Sequence, residues 1–189
     1  MSKPKILAFA GALRRGSYNK KLIRIAVQGA EEAGAEVTLI DLADYPMPLY
    51  DGDIEDASGL PENAKKLKDV FRAHDGLLLS CPEYNSGITG VLKNAIDWVS
   101  RPATDKKPLE CFDGKIAALV SASPGTYGGM RGLVIVRYIL GNIKVTLIPD
   151  TFSLSNAADA FAENGTLKDG KQAERAKGVG AALANALKR

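Results

Sequence analysis

Metal-binding and cross-linking side chains are scarce in this 189-residue sequence: one histidine, His74, and two cysteines, Cys81 and Cys111. Those numbers leave no His/Cys zinc cluster and no disulfide framework. Long apolar runs are missing as well. No stretch approaches the about 20 apolar residues that cross a bilayer. The N-terminal apolar run is shorter than a signal-peptide core and ends in Arg14 and Arg15. A reducing, cytoplasmic setting without a membrane is the expectation. Repeats, linkers and low-complexity tracts are absent, and 46% hydrophobic with 25% charged residues suits one globular domain, residues 1–189. A strong excess of one charge is lacking too; a net +3 gives no argument for nucleic acid.

What charge there is lies unevenly. Residues 1–30 hold seven Lys or Arg and no acid, and residues 31–63 hold ten Asp or Glu and no base. The basic end surrounds the segment Phe9 to Asn19, FAGALRRGSYN. An apolar run stops at Gly11, a loop with glycine, serine and asparagine follows, and helical periodicity opens at Lys20. Strand, loop and helix start in that order build an anion site, because the first amides of a helix point outward unpaired. Ser17 and Asn19 can donate to phosphate oxygens, and Arg14 and Arg15 add attraction and a bidentate contact. A plain helix cap made of the same residue types is the competing reading. Lys20, Lys21 and Arg24 read as a solvated helix face. Two signatures are not there: G-x-x-x-x-G-K-[ST] lacks its lysine, since Ser17 follows Gly16, and G-x-G-x-x-G lacks its middle glycine. A mononucleotide or flavin phosphate fits better than a nucleoside triphosphate or a dinucleotide.

Further along, the pattern predicts strands at Lys5–Ala10, Glu36–Asp41, Gly76–Ser80, Lys115–Ser121 and Val145–Ile148. Helices are expected from Lys20 to Gly34, from Pro61, across Val91 to Val99, over Leu133–Leu140 and over Gln172–Leu187. The acidic, proline-bearing connection Leu42–Gly59 is long enough to be functional or interfacial. Pro102–Cys111 reads as a polar connection, and Ser155–Gly170 has no assignable structure. Buried strands alternating with helices imply an α/β fold, a parallel sheet covered on both faces. Ligands of such sheets sit at the carboxyl ends of the strands. Three loops at that edge are unusual: GALRRGSYN, CPEYNSGITG and SASPGTYGGMRG. In the second, Pro82 fixes the chain and Glu83, Tyr84 and Asn85 project beyond the strand. Tyr84 and the amides of Asn85, Ser86 and Gly87 suit the wall and edge of a flat ring. Glu83 stands equally well as a solvated carboxylate. Cys81 reads as a packed thiol, and His74 as a surface or helix-end residue.

The stretch Pro82–Trp98, PEYNSGITGVLKNAIDW, resembles the signature of the NADPH-dependent FMN reductases, the flavodoxin-like quinone, azo-dye and chromate reductases. GALRRGSYN is similar to that family's phosphate loop and SASPGTYGGMRG to its third ligand loop, and the likeness runs the length of the chain. One departure is Ala12, where the family usually has serine. The resemblance implies a flavodoxin-like three-layer sandwich with a five-stranded parallel sheet in order 2-1-3-4-5 and helices on both faces. It implies bound FMN, NADPH or NADH as co-substrate, and a homodimer or homotetramer. It also implies two-electron reduction of a small-molecule acceptor: a quinone, an azo compound, chromate or a ferric chelate. By position, Arg14, Ser17 and Asn19 would hold the phosphate, with backbone help from Gly16 to Tyr18, and Pro82 to Gly87 would line the ring. Ser123, Gly125, Gly128, Gly129 and Arg131 would form the loop beside the cofactor or second substrate. Arg131 stands open between substrate contact and subunit contact, and no general base is named. Leu49, Tyr50, Leu133, Val134 and Tyr138 are the subunit-contact candidates.

Rival readings are an FMN electron carrier of the flavodoxin type, a receiver-like signalling domain and a dinucleotide enzyme using Asp41. The first expects an acidic surface, against an isoelectric point near 8.8. The second needs carboxylates at strand ends that read Ala10-Gly11 and Ser80-Cys81. The third lacks its glycine spacing.

Overall fold

A computed structural model describes residues 3–103 and 107–188. Its first strand, β1 (Lys5–Ala10), is buried from Ile6 onward, as an interior strand covered on both faces must be. The chain continues through α1 (Tyr18–Glu32), β2 (Glu36–Leu39), α2 (Gly52–Ser58), α3 (Glu62–Arg72), β3 (Gly76–Ser80) and a short hairpin, β4 (Glu83–Tyr84) with β5 (Gly87–Ile88). Then follow α4 (Gly90–Ser100), β6 (Ile116–Ala122), α5 (Met130–Asn142), β7 (Thr146–Leu154), α6 (Ala157–Ala160) and α7 (Gly170–Ala186).

The main sheet is parallel, in the order β2-β1-β3-β6-β7. With the hairpin set aside, that is the expected 2-1-3-4-5. Alternation along the strands divides the core in two. Ile6, Ala8 and Ala10 pack under α1 and α7 with Leu22, Ala26, Val179 and Leu183. Leu7, Phe9, Leu77 and Leu79 pack under α3, α4 and α5 with Leu67, Phe71, Leu92 and Val136. The helices α1 and α7 cross so closely that a Cβ on Gly180 would stand 1.9 Å from the Ala26 carbonyl oxygen, which only glycine permits.

Several expected boundaries move. The second strand ends at Leu39, because Asp41 turns inward on the chain: its Oδ1 accepts the Ala43 N–H and caps a 3-10 turn at Leu42–Asp44. The acidic connection is a strap with its own helix, α2, started by Asp51 and ended by Gly59. It is tied to α4 where Trp98 Nε1 and Asn94 Nδ2 donate to the Pro48 carbonyl at 2.8 and 2.9 Å. The last strand runs to Leu154, well past Ile148, with a register irregularity opposite Ala117 to Leu119. Arg137 of α5 donates to the Ile148 and Pro149 carbonyls that this bulge turns out of the ladder. α5 starts at Met130, before Leu133. Ser155–Gly170 holds α6 and an antiparallel bridge between Phe161 and Leu167. The expected Pro102–Cys111 connection falls outside the described residues at 104–106.

Candidate active site

The carboxyl ends of β1, β3 and β6 bring the three unusual loops around one cleft of about 310 Å³. Ala12, Arg14, Ser17, Tyr18 and Asn19 line it from the first loop, Pro82, Glu83 and Tyr84 from the second, and Ala122, Ser123 and Pro124 from the third. Ala122 and Pro124 stood inside the SASPGTYGGMRG motif without being singled out, since nothing marks an alanine as a wall, and Ala12 was noted only as a departure from serine. Of the expected residues, Gly16, Asn85, Ser86, Gly87, Gly125, Gly128 and Gly129 do not line the cleft themselves.

Buried polar side chains lock the loops together. Asn19, the second residue of α1, donates from Nδ2 to the Ala122 carbonyl at 2.8 Å. Its Oδ1 accepts from the Ser80 hydroxyl at 2.8 Å and from the Ala122 N–H at 3.0 Å. The carboxamide thus joins the ends of β3 and β6 to the helix start, leaving mainly its backbone amide for an anion. Thr89 caps α4 and donates to the Gly11 carbonyl at 2.7 Å, which fixes the first loop against the second. Ser121 donates to the Gly128 carbonyl at 2.7 Å. Gly128 has φ +60°, and a Cβ there would lie 2.8 Å from the Leu154 carbonyl carbon. No other residue fits that turn.

Ser17 sits at the N-cap of α1 with extended backbone, and its hydroxyl does not cap the helix. The N–H groups of Tyr18, Asn19 and Lys20 precede the first intrahelical bond, Lys21 N–H to Ser17 O. The first loop therefore offers the cleft free amides, a hydroxyl and the Arg14 guanidinium, a donor set suited to a phosphate. The second and third loops add the flat faces of Pro82, Tyr84 and Pro124. That pairing fits FMN. The Tyr18 ring also stacks on Phe161, with 6.1 Å between centroids, and so holds the segment after β7 against the loop.

Glu83 takes a place the sequence left open. Its side chain is only 7% exposed. Oε1 accepts from Arg131 Nε at 2.8 Å, and Oε2 from the Gly132 N–H at 3.1 Å, in the first turn of α5. The N-cap of α5, Gly129, has no side chain, so a carboxylate from another element caps the helix. Burial would raise the Glu83 carboxyl; the Gly132 amide and the Arg131 guanidinium outweigh it and hold the pKa below the usual value. The Arg131 guanidinium lies over the Tyr127 ring, 5.1 Å from its centroid. Beneath the loop, burial pushes the Cys81 thiol up to about 12, which keeps it protonated and unreactive. His74 follows α3, with one ring nitrogen on the Val70 carbonyl and the other on the Thr38 hydroxyl.

A parallel sheet in this order, with its cleft at the carboxyl ends of the central strands, is flavodoxin-like. The solved flavoenzyme NAD(P)H:acceptor oxidoreductase of Paracoccus denitrificans shares it with a TM-score of 0.81 at 28% identity, over 98% of this chain and 97% of that one. An archaeal flavodoxin at 11% identity and a TM-score of 0.63, covering 98% of this chain and 99% of its own, shares the fold alone. Residues 4–159 match the NADPH-dependent FMN reductase family, and the chain belongs to that family. An NAD(P)H-dependent FMN reductase of Pseudomonas aeruginosa is 39% identical over 90% of this chain and 88% of its own length. A quinone reductase of Pseudomonas putida is 36% identical over 87% and 84%. FMN as cofactor and a reduced nicotinamide nucleotide as co-substrate come with that membership, as the resemblance implied.

Proposed function

We propose that the protein reduces quinones by two electrons at the expense of NADPH or NADH, with FMN held in the rim cleft. Azo compounds, chromate and ferric chelates are further acceptors of the same two-electron site. The observation that carries this reading is one cleft lined both by the phosphate-suited donors of the first loop and by the flat side chains of the second and third. Arg14, Gly16, Ser17, Tyr18 and the Asn19 amide hold the phosphate. Pro82, Glu83, Tyr84, Asn85, Ser86 and Gly87 bound the ring, the hairpin acting largely through its backbone. Ser123, Gly125, Gly128 and Gly129 carry the third side. FMN, once bound, supplies the hydride chemistry, taking hydride from the reduced nicotinamide and returning two electrons to the acceptor. In balance, NAD(P)H, one proton from water and a quinone give NAD(P)+ and a hydroquinone. The protein's share is orientation and exclusion of water, and Glu83 keeps Arg131 at the mouth, where it meets the anionic part of a substrate.

The whole chain is taken as one domain, since α7 closes the same core as α1. The apolar side chains exposed along α5, Met130, Val134 and Tyr138, are its contact with a second copy, in a homodimer or homotetramer. Two buried free thiols suit the expected cytoplasmic home. The direct test replaces Arg14 and Ser17 together by alanine. FMN retention through desalting is expected to fall at least tenfold while the far-ultraviolet spectrum stays unchanged. Unaltered retention removes the phosphate assignment.

A further inference from the structure

A second cavity, about 290 Å³, opens beside the first. Leu13, Leu42, Pro46, Met47, Val91 and Ala95 make most of its wall. Its polar side chains are few. Asn94 is held to the strap, Oδ1 accepting the Tyr50 N–H at 2.8 Å and Nδ2 donating to Pro48 O at 2.9 Å. Tyr45 is turned also toward the neighbouring groove that holds Lys20 and Asp41. A ligand here meets hydrocarbon. An apolar cavity of roughly 150 Å³ admits a benzene ring, so this one has room for a branched chain of several methylenes.

Its place gives the occupant. Leu13 is flanked by Ala12 and Arg14, and both of those line the cofactor cleft. Val91 is two residues beyond Thr89, whose hydroxyl binds the Gly11 carbonyl. A three-residue segment therefore separates an open apolar cavity from the cleft where acceptors are reduced. We propose that this cavity takes the alkyl or prenyl substituent of a quinone whose ring is reduced in the cleft, making substituted quinones the preferred acceptors. The inference rests on the quinone reductase reading above. The redox step is unchanged: NAD(P)H, a proton and the prenylquinone give NAD(P)+ and the prenylhydroquinone. Each buried methylene strengthens binding roughly fourfold, and a five-carbon prenyl group is expected to raise kcat/KM about 10- to 100-fold over the bare ring.

The experiment uses the FMN-loaded protein with a bare 1,4-benzoquinone and its prenyl derivative, and in parallel measures calorimetric binding of the two hydroquinones, which undergo no turnover. Ala43→Trp fills the cavity from its exposed rim. Val91→Asp places a charge in its wall at a helix start that tolerates one. Wild type is expected to favour the prenyl compound at least tenfold in both readouts. Both variants are expected to lose that preference while handling the bare quinone within about twofold of wild type. Equal handling of the two compounds by wild type, or a preference that survives both substitutions, overturns the proposal and leaves the quinone reading standing. Reduction of neither quinone by FMN-loaded protein overturns both. If wild type shows no preference and Val91→Asp converts an oligomer to monomer, the cavity is a subunit contact and the proposal falls.

Discussion

Asn19 shows how a single side chain assembles the site. Three hydrogen bonds from one carboxamide join α1 to β3 and β6, and all lie in the core. Replacing it by leucine leaves the Ala122 N–H and carbonyl and the Ser80 hydroxyl without partners, each a desolvated polar group. Asn19→Leu is expected to lower stability by about 2 to 4 kcal/mol, read as a shift of the denaturant midpoint, and to weaken FMN retention because the rim loops separate. A loss below about 0.5 kcal/mol would show that the network is dispensable. The sequence marked Asn19 as a phosphate ligand from the loop pattern, since the partners Ser80 and Ala122 lie 61 and 103 residues away. Lys68 went unnoticed for a related reason. Among Lys65 and Lys66 it reads as a solvated charge, whereas its ammonium is buried and caps α4 through the Val99 and Arg101 carbonyls. Long-range polar partners leave no periodic trace.

At the scale of elements, the hairpin β4–β5 turns through Asn85 and Ser86 with φ of +52° and +65°, the left-handed pair of a tight hairpin turn. The favoured sequence there is Asn-Gly. Here glycine comes one place later, so the hairpin was read as a plain loop. Ser86→Gly removes the left-handed penalty and is expected to stabilise the protein by about 1 kcal/mol in chemical unfolding; a destabilised variant would mean the serine has a partner that repays its strain. The same hairpin presents Glu83 to α5. Because the folded pKa of Glu83 lies below its unfolded value, the stability it confers is complete above the unfolded pKa near about 4.3 and is lost as pH falls through the folded value. Glu83→Gln is therefore expected to be less stable than wild type by a constant amount between pH 6 and 8, and the gap to close in acid. A gap that persists at the lowest pH would assign it to packing instead of charge. The five strands of the main sheet and the long amphipathic helices were legible because each carries its own apolar pattern, and with them the rim and its three loops. α2 was not, for none of its residues is buried. The far half of β7 was not, because Pro149 interrupts it; an edge strand with a bulge tolerates proline where an inner strand would not.

Across the whole molecule, one continuous line of exposed apolar side chains runs along α5. Met130, Val134 and Tyr138 recur every fourth residue with 51%, 63% and 77% of their surface exposed, and Ile135 and Tyr127 flank them. Leu133, expected to join this surface, is 4% exposed and packs in the core, and Tyr50 is occupied within the chain, edge-on to Trp98 with its hydroxyl on Glu55. The proposed contact surface is therefore Val134 and Tyr138 with Met130, a stripe whose coverage by a second copy would remove apolar area from water, and Leu49, also expected there, stands 78% exposed on the strap before α2. α5 also begins at the third loop of the cleft and carries Arg131, so pairing through this stripe sets two clefts close to the same interface. Val134→Glu combined with Tyr138→Glu places four like charges across a two-fold contact and is expected to reduce the sedimenting mass of the 20.0 kDa chain to that of a monomer. Both positions are exposed, so folding stability is expected to change by less than about 0.5 kcal/mol in the separated chain. FMN retention then divides two cases: unchanged retention means that one chain completes the cleft, and lost retention that the neighbouring copy closes it. A wild-type protein that sediments as a monomer at micromolar concentration would remove the α5 contact altogether.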